Sequence, residues 1–215
     1  MIKMIDRRLS LLECEKSLHQ FASFLSTNLE IKETGKNSLQ EFFKDHPDLI
    51  LLMGDFYTSM TPACYQVELS INNEFRMDFA VSDDKKSRFL FIEFEDAKKE
   101  SIFRKKSNGK RSNSYEWSKR YEHGFSQLVD WHYRMDDLKR TNKFAEHFGS
   151  SHVDYQCILI IGRTQFLEEA GCQSRFRWRH ENTLINSKVV HCVTFDMLLD
   201  ELKGRLDGIN ALKSI

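Results

Sequence analysis

The sequence predicts a mixed α/β domain built on a central sheet. Three observations carry this expectation. Residues 64–96 hold three strand-like segments in series, divided by polar turns. Residues 157–161, Cys-Ile-Leu-Ile-Ile, form a continuously apolar run of the kind found in a sheet interior. Much of the chain before and after them has helix-like apolar spacing. Helices interleaved with strands along one chain are the pattern of a sheet covered by helices.

Bulk properties set the frame. The 215 residues suffice for one domain, or one domain with a small appendage. Lys plus Arg and Asp plus Glu number 32 each, so overall charge points to no partner and only local charge can. Two prolines in the whole chain argue against disordered linkers. No apolar run approaches the roughly 20 residues that span a membrane. The N-terminal MIKMIDRRLSLLECEK has no long apolar core and does not read as a secretory signal. Cys14, Cys64, Cys157, Cys172 and Cys192 are scattered, with no CxxC spacing. That favours a reducing, cytoplasmic setting and argues against a disulfide framework or a zinc site.

Taken in order, residues 6–30 read as a helix, with Leu9, Leu12, Leu18, Phe21, Phe24 and Leu25 near a 3.6 period. Gly35 and Asn37 break it. Ser38 and Glu41 have capping-box spacing, and the helix LQEFFKDH that follows should stop before Pro47. Leu49 to Met53 is either a buried helical turn or a strand. Residues 64–71 alternate as a first strand. Asn72-Asn73 turns into Phe75–Ser82, and SDDKKS turns into Arg88–Asp96, giving three antiparallel strands in series.

Two of these strands carry carboxylates among apolar residues. Asp78 sits between Met77 and Phe79, and Glu93 and Glu95 flank Phe94. Alternation puts Glu93 and Glu95 on the face that bears Phe89 and Phe91. Burying charge there is costly unless a partner or a metal offsets it. Three converging carboxylates repel one another, and a divalent cation removes the repulsion. An all-oxygen set suits Mg²⁺ or Mn²⁺. The plainer alternative is an edge hairpin with one wet face. Glu68 reads as a solvent-facing strand residue.

Between Lys98 and Arg120 there are nine Lys or Arg and two Glu, with Ile102, Phe103, Tyr115, Trp117 and Tyr121 interleaved. A basic, aromatic segment beside carboxylates suits a polyanionic backbone and stacked bases. The candidate contacts are Lys98, Arg104, Lys105, Lys106, Lys110, Arg111, Lys119 and Arg120; a solvated loop is the alternative. Helical spacing runs from Ser114 to Leu138. His123, Gln127 and Trp131 share one face, and Phe125, Leu128 and Val129 can face the core. His123 with Gln127, soon after the carboxylate strand, suggests a site-facing role. Asp154–Arg163 reads as a buried strand and Thr164–Ala170 as a short helix ending at Gly171. Ser174–Asn182 is basic and aromatic, either a second nucleic-acid contact or a surface segment. Val189–Thr194 reads as a last strand and Phe195–Leu206 as a closing helix.

The segments FFKDHPDLI, FRMDF, FIEFED, SIFRKK and HGFSQLVDW follow one another in this chain. In order and spacing they resemble the Shedu group, the SduA-like C-terminal nuclease domain of bacterial anti-phage defence. Asp78, Glu93 and Glu95 on neighbouring strands, with a glutamine on the next helix, resemble the wider PD-(D/E)XK nuclease superfamily. The resemblance covers roughly residues 38–200. It implies a central mixed sheet flanked by helices, with residues 38–215 as the nuclease domain and 1–37 as a helical appendage. It implies a metal-dependent DNA endonuclease that hydrolyses phosphodiesters with Mg²⁺ or Mn²⁺, acts on duplex DNA and assembles as a homo-oligomer. Asp78, Glu93 and the Phe94 carbonyl would hold the cation. Glu95, where most of the superfamily has lysine, would be a base or a further metal ligand. Gln127 and His123 would support the site, and Glu41 would be an additional carboxylate. A catalytically inactive nucleic-acid-binding domain and a protein-interaction module are the alternatives.

Overall fold

A computed structural model describes residues 2–71, 75–106 and 114–213. The turn expected at Asn72-Asn73 and the candidate contacts Lys110 and Arg111 lie outside the described residues. In chain order the strands are β1 (Ile5–Asp6), β2 (Cys64–Ile71), β3 (Phe75–Ser82), β4 (Arg88–Phe94), β5 (Phe103–Lys105), β6 (Tyr115–Trp117), β7 (Asp154–Ile160), β8 (Leu184–Ile185) and β9 (Lys188–Val193). The helices are α1 (Leu11–Thr27), α2 (Leu39–Asp45), α3 (Pro47–Thr58), α4 (Lys119–Lys139), α5 (Asn142–Phe148), α6 (Thr164–Glu169), α7 (Gln173–Asn182) and α8 (Phe195–Lys213).

Seven strands form one mixed sheet in the order β1-β2-β3-β4-β7-β9-β8, and β5 and β6 pair separately. The expected mixed α/β architecture is therefore present. β2, β3 and β4 are antiparallel neighbours, while β4 runs parallel to β7, and β7 to β9. Period-two alternation divides β4 between two apolar layers. Leu90, Ile92 and Phe94 join Leu18, Phe21, Leu51 and Leu202 of α1, α3 and α8 on one side. Phe89 and Phe91 join Leu128, Trp131 and Met135 of α4 on the other. Glu93 follows Phe89 and Phe91 onto the α4 side.

Several elements differ from expectation for identifiable reasons. α1 starts at Leu11, where Ser10 caps it by accepting from the Glu13 N–H at 3.4 Å. The residues before it pair with β2 instead. Leu49–Met53 is helical, inside a helix that opens on Pro47, whose fixed φ suits a first turn. Tyr115–Trp117 is strand rather than helix because it pairs with Phe103–Lys105. Ser118 then caps α4, accepting from Tyr121 N–H at 3.0 Å. Val129 is exposed rather than core-facing. Helices α5 and α7 and the short β8 were not expected, and α8 continues to Lys213. All five cysteines are free and buried. No helix among the described residues is long and apolar enough to cross a membrane.

Candidate active site

The site forms where β3 parts from β4. Their ladder runs from the Ser82–Phe89 pair to the Phe79–Ile92 pair and does not extend to Asp78 and Glu93, the next positions in register. The Asp78 side chain takes over the lost backbone bond: its Oδ2 accepts from Phe94 N–H at 2.8 Å. Its Oδ1 accepts from Gln40 Nε2 of α2 at 2.5 Å. On the other edge, the β2–β3 ladder skips Glu68 opposite Asp78, and Glu68 has a left-handed φ of 53°. Glu68 is solvent-exposed, as its sequence position suggested, and pairs with Lys44 and Arg76.

Glu93 is almost fully buried; Gln127 of α4 hydrogen-bonds to it, but its Oε2 has no partner. Gln127 Oε1 is likewise buried without a partner. Glu95, 1% exposed, is held on both oxygens: Oε1 lies 3.0 Å from His123 Nδ1, and Oε2 accepts from Arg120 Nη1 at 2.9 Å. This closeness depends on Gly124. A Cβ there would stand 3.0 Å from Glu95 Cγ and 2.7 Å from Leu159 Cδ1.

A fourth carboxylate enters from the segment between α1 and α2. Glu33 donates its backbone N–H to Asp96 Oδ1 at 2.8 Å and reaches Arg120 Nη1 at 3.3 Å. An antiparallel bridge between Ile31 and Ala97 holds the segment there. Arg120 thus spans Glu33, Glu95 and Asp96, and Lys98 Nζ also reaches Asp96 at 2.7 Å.

Burial is the first cause of the electrostatics here. It pushes the Glu93 carboxyl up to about 10, with further elevation from Asp78, Glu95 and Glu33. Asp78 is pushed up to about 7 by burial, against the pull of the Phe94 N–H bond. Glu33 is also raised to about 7, by burial and then by Glu95. Such a pocket favours protons or cations. Among the described residues no three His, Cys, Asp or Glu side chains converge on one ion position. The donor chemistry of Asp78 and Glu93 nevertheless fits a hard divalent cation: all oxygen, crowded with negative charge, with Glu93 Oε2 buried and unpartnered.

Asp78, Glu93, Glu95, His123 and Gln127 are brought together as expected, with Phe94 at the same strand end. Glu95 is already held on both oxygens, by Arg120 and His123. The expectation for Glu41 needs correction. Glu41 stands outside the pocket: its N–H donates to Ser38 Oγ and its carboxylate accepts from Asn37 N–H, so it serves as a cap. Of the candidate DNA contacts, Arg120 is exposed and bonds Glu33, Glu95 and Asp96, Lys98 pairs with Asp96, and Arg104 pairs with Glu116 at 2.8 Å. Lys105, Lys106 and Lys119 are exposed. Sequence reasoning missed Glu33, Gln40 and Asp96. Asp96 ends the carboxylate strand and was open to notice; Glu33 sits in a polar run with no pattern around it.

The interleaved aromatics are also used differently from expectation. Phe103 packs on Trp117 with centroids 4.2 Å apart, and Trp117 stacks on Tyr121 at 4.5 Å. Arg179 of α7 covers Trp117, Tyr121 and Phe125 at 4.7, 4.8 and 4.2 Å, and Arg175 covers Phe103 at 4.8 Å. These rings are bound by the protein's own guanidinium groups.

Residues 33–199, well over half of the chain, match the model of a family described as Shedu protein SduA, C-terminal. No curated protein matches the chain.

Proposed function

This chain belongs to the Shedu family through its SduA C-terminal domain, and we propose that it is a divalent-metal-dependent DNA endonuclease of PD-(D/E)XK type serving anti-phage defence. One observation supports this above others: Glu93 lies buried with an unpartnered oxygen, at the point where Asp78 has left the β3–β4 ladder. A stable fold does not need that costly arrangement, whereas a cation site does.

Asp78, Glu93 and the Phe94 carbonyl would hold the ion. When bound, Mg²⁺ or Mn²⁺ lowers the pKa of a water and draws charge from the phosphoryl oxygens. The remaining roles fall to the chain's own side chains. Gln127 orients Glu93. Glu95 cannot donate as the superfamily's lysine does. The positive charge beside it stands on Arg120, one hydrogen bond away, where it can stabilise a phosphate in the transition state. Glu95 and His123 are the groups able to take a proton from an attacking water. Cutting both strands at once requires two such sites, hence two copies of the chain.

One finding favours a second reading, a nuclease-like domain that binds DNA without cutting it: among the described residues no three His, Cys, Asp or Glu side chains converge on one ion position. Supercoiled plasmid separates the two. The proposed enzyme nicks or linearises it with Mg²⁺ or Mn²⁺, stops in EDTA and is silent as Glu93→Ala. Plasmid that is shifted on a gel but never cut would support the second reading.

A further inference from the structure

The groove between α7 and the β5–β6 hairpin lies outside the carboxylate pocket, and we propose that it binds an unpaired nucleobase of DNA stacked on Trp178. The proposal rests on the reading of DNA as substrate and adds a preference for single-stranded or frayed DNA. The groove has a volume of about 580 Å³ and is lined by Trp117, Ser174, Arg175, Trp178, Arg179 and Thr183.

Three features fit this occupant. The first is the ring. Trp178 is 67% exposed, and no ring or cation covers it among the described residues, although the aromatics nearby are all stacked. α7 is also pinned beneath it. Arg175 and Arg179, a turn apart, lie on the aromatic stack, and Arg175 Nη1 donates to the Tyr115 carbonyl at 2.9 Å. Trp178 is therefore presented from an anchored helix, which lowers the ordering cost of stacking.

The second feature is charge. Of the two guanidinium groups that line the groove, Arg179 is paired with Glu122 and Arg175 has no carboxylate partner among the described residues. An aromatic platform bordered by a guanidinium group without a carboxylate partner is an arrangement that takes a base with its phosphate. The Ser174 and Thr183 hydroxyls on the walls suit a base edge. Bases inside an intact duplex have no free face to offer, so the ligand must be unpaired.

The third feature is position. Glu122 of α4 accepts from Arg179 of the groove at 2.7 and 3.1 Å, while the next residue, His123, meets Glu95 at 3.0 Å. Neighbouring residues of α4 thus contact the groove and the carboxylate pocket.

The test is fluorescence anisotropy of the full chain in EDTA, where nothing is cut, with a labelled oligothymidylate and a blunt duplex of equal length. Trp178→Ala should weaken oligothymidylate binding by about 5- to 150-fold, the span for one base stacked on an aromatic ring. Duplex binding should change little, and Trp178→Phe should retain most of the affinity. Trp178 is exposed, so these variants leave the core intact. Unchanged oligothymidylate binding in Trp178→Ala, an equal loss on both DNAs, or no oligothymidylate binding at all would overturn the proposal. So would an acidic peptide such as polyglutamate that needs Trp178 while the oligonucleotide does not, which would make the groove a protein contact. Metal-dependent plasmid cutting is scored separately, so failure of the nuclease reading leaves this binding result standing on its own.

Discussion

Glu93 concentrates the site's physical conflict in one side chain. Its carboxyl is raised to about 10 by burial and then by Asp78, so the folded protein keeps a proton that the unfolded chain releases near pH 4.3. Its stabilising effect is complete below that value and is lost as pH rises toward the folded value. Asp78 and Glu33, raised to about 7, act with the same sign over a lower range. The metal-free protein is thus weakened by these groups as pH increases. Glu93→Gln cannot ionise and should be more stable than the natural chain at pH 8 in EDTA, by on the order of 1–3 kcal/mol. The difference should shrink at pH 5, and thermal melts at both values read it; equal effects at both would rule out charge as the cause. At this scale the sequence was informative where chemistry broke a pattern. Asp78, Glu93 and Glu95 stood out because carboxylates are costly in apolar strands. Glu33 and Gln40 did not, because a polar residue in a polar segment breaks nothing; only the bridge at Ile31 and the close approach of α2 give them a role.

Helix α4 is the element on which core and site meet. Leu128, Trp131 and Met135 bury its inner face, and His123 and Gln127 reach the carboxylates from the same helix. Gly124 sets how closely it can approach. Gly124→Ala gains roughly 1 kcal/mol in helix propensity. It also forces a methyl against Leu159 and Glu95, at 2.7 and 3.0 Å. Overpacking of that kind costs about 1–3 kcal/mol, so a net loss of stability is expected in urea titrations. Plasmid cutting should fall further than stability does, because Glu95 is displaced from Arg120 and His123. Elements held by apolar periodicity were readable from sequence, including β2 to β4, β7 and most of α4. The β5–β6 hairpin and α7 were not. α7 buries only Phe176 and is pinned by guanidinium groups on rings, contacts that leave no apolar repeat.

Across the whole molecule, the sheet separates two apolar layers, and Arg163 ties its C-terminal end together. Only 7% exposed, Arg163 donates to both Asp196 oxygens at the start of α8, at 2.9–3.1 Å, and to the Asn28 carbonyl at 2.8 Å. It thereby links β7, α8 and the segment that leads to Glu33. Arg163→Met removes these bonds and leaves Asp196 with only the Thr164 N–H at 2.8 Å among the described residues. Breaking such a pair costs about 3–5 kcal/mol when fully buried, and partial exposure of Asp196 lowers the expected loss to about 2–4 kcal/mol. Thermal melting of the variant measures it. The mixed architecture was legible because strand and helix periods alternate along the chain. The anchoring by Arg163 was not, since a lone arginine after an apolar strand gives no sign of three partners distant in sequence.

The order of the carboxylate pocket's parts along the chain matters during synthesis. Asp78, Glu93 and Glu95, on or just past neighbouring strands joined by a short turn, are translated before Arg120, His123 and Gln127, which arrive with α4. A polypeptide that ends before residue 119 carries every acid of the pocket and none of its α4 counter-charges. The parallel neighbour of β4 comes later still, at residues 154–160. Interrupted translation therefore yields fragments with a repelling acidic cluster on an uncovered hairpin. Only a chain made past β7 can assemble the whole constellation.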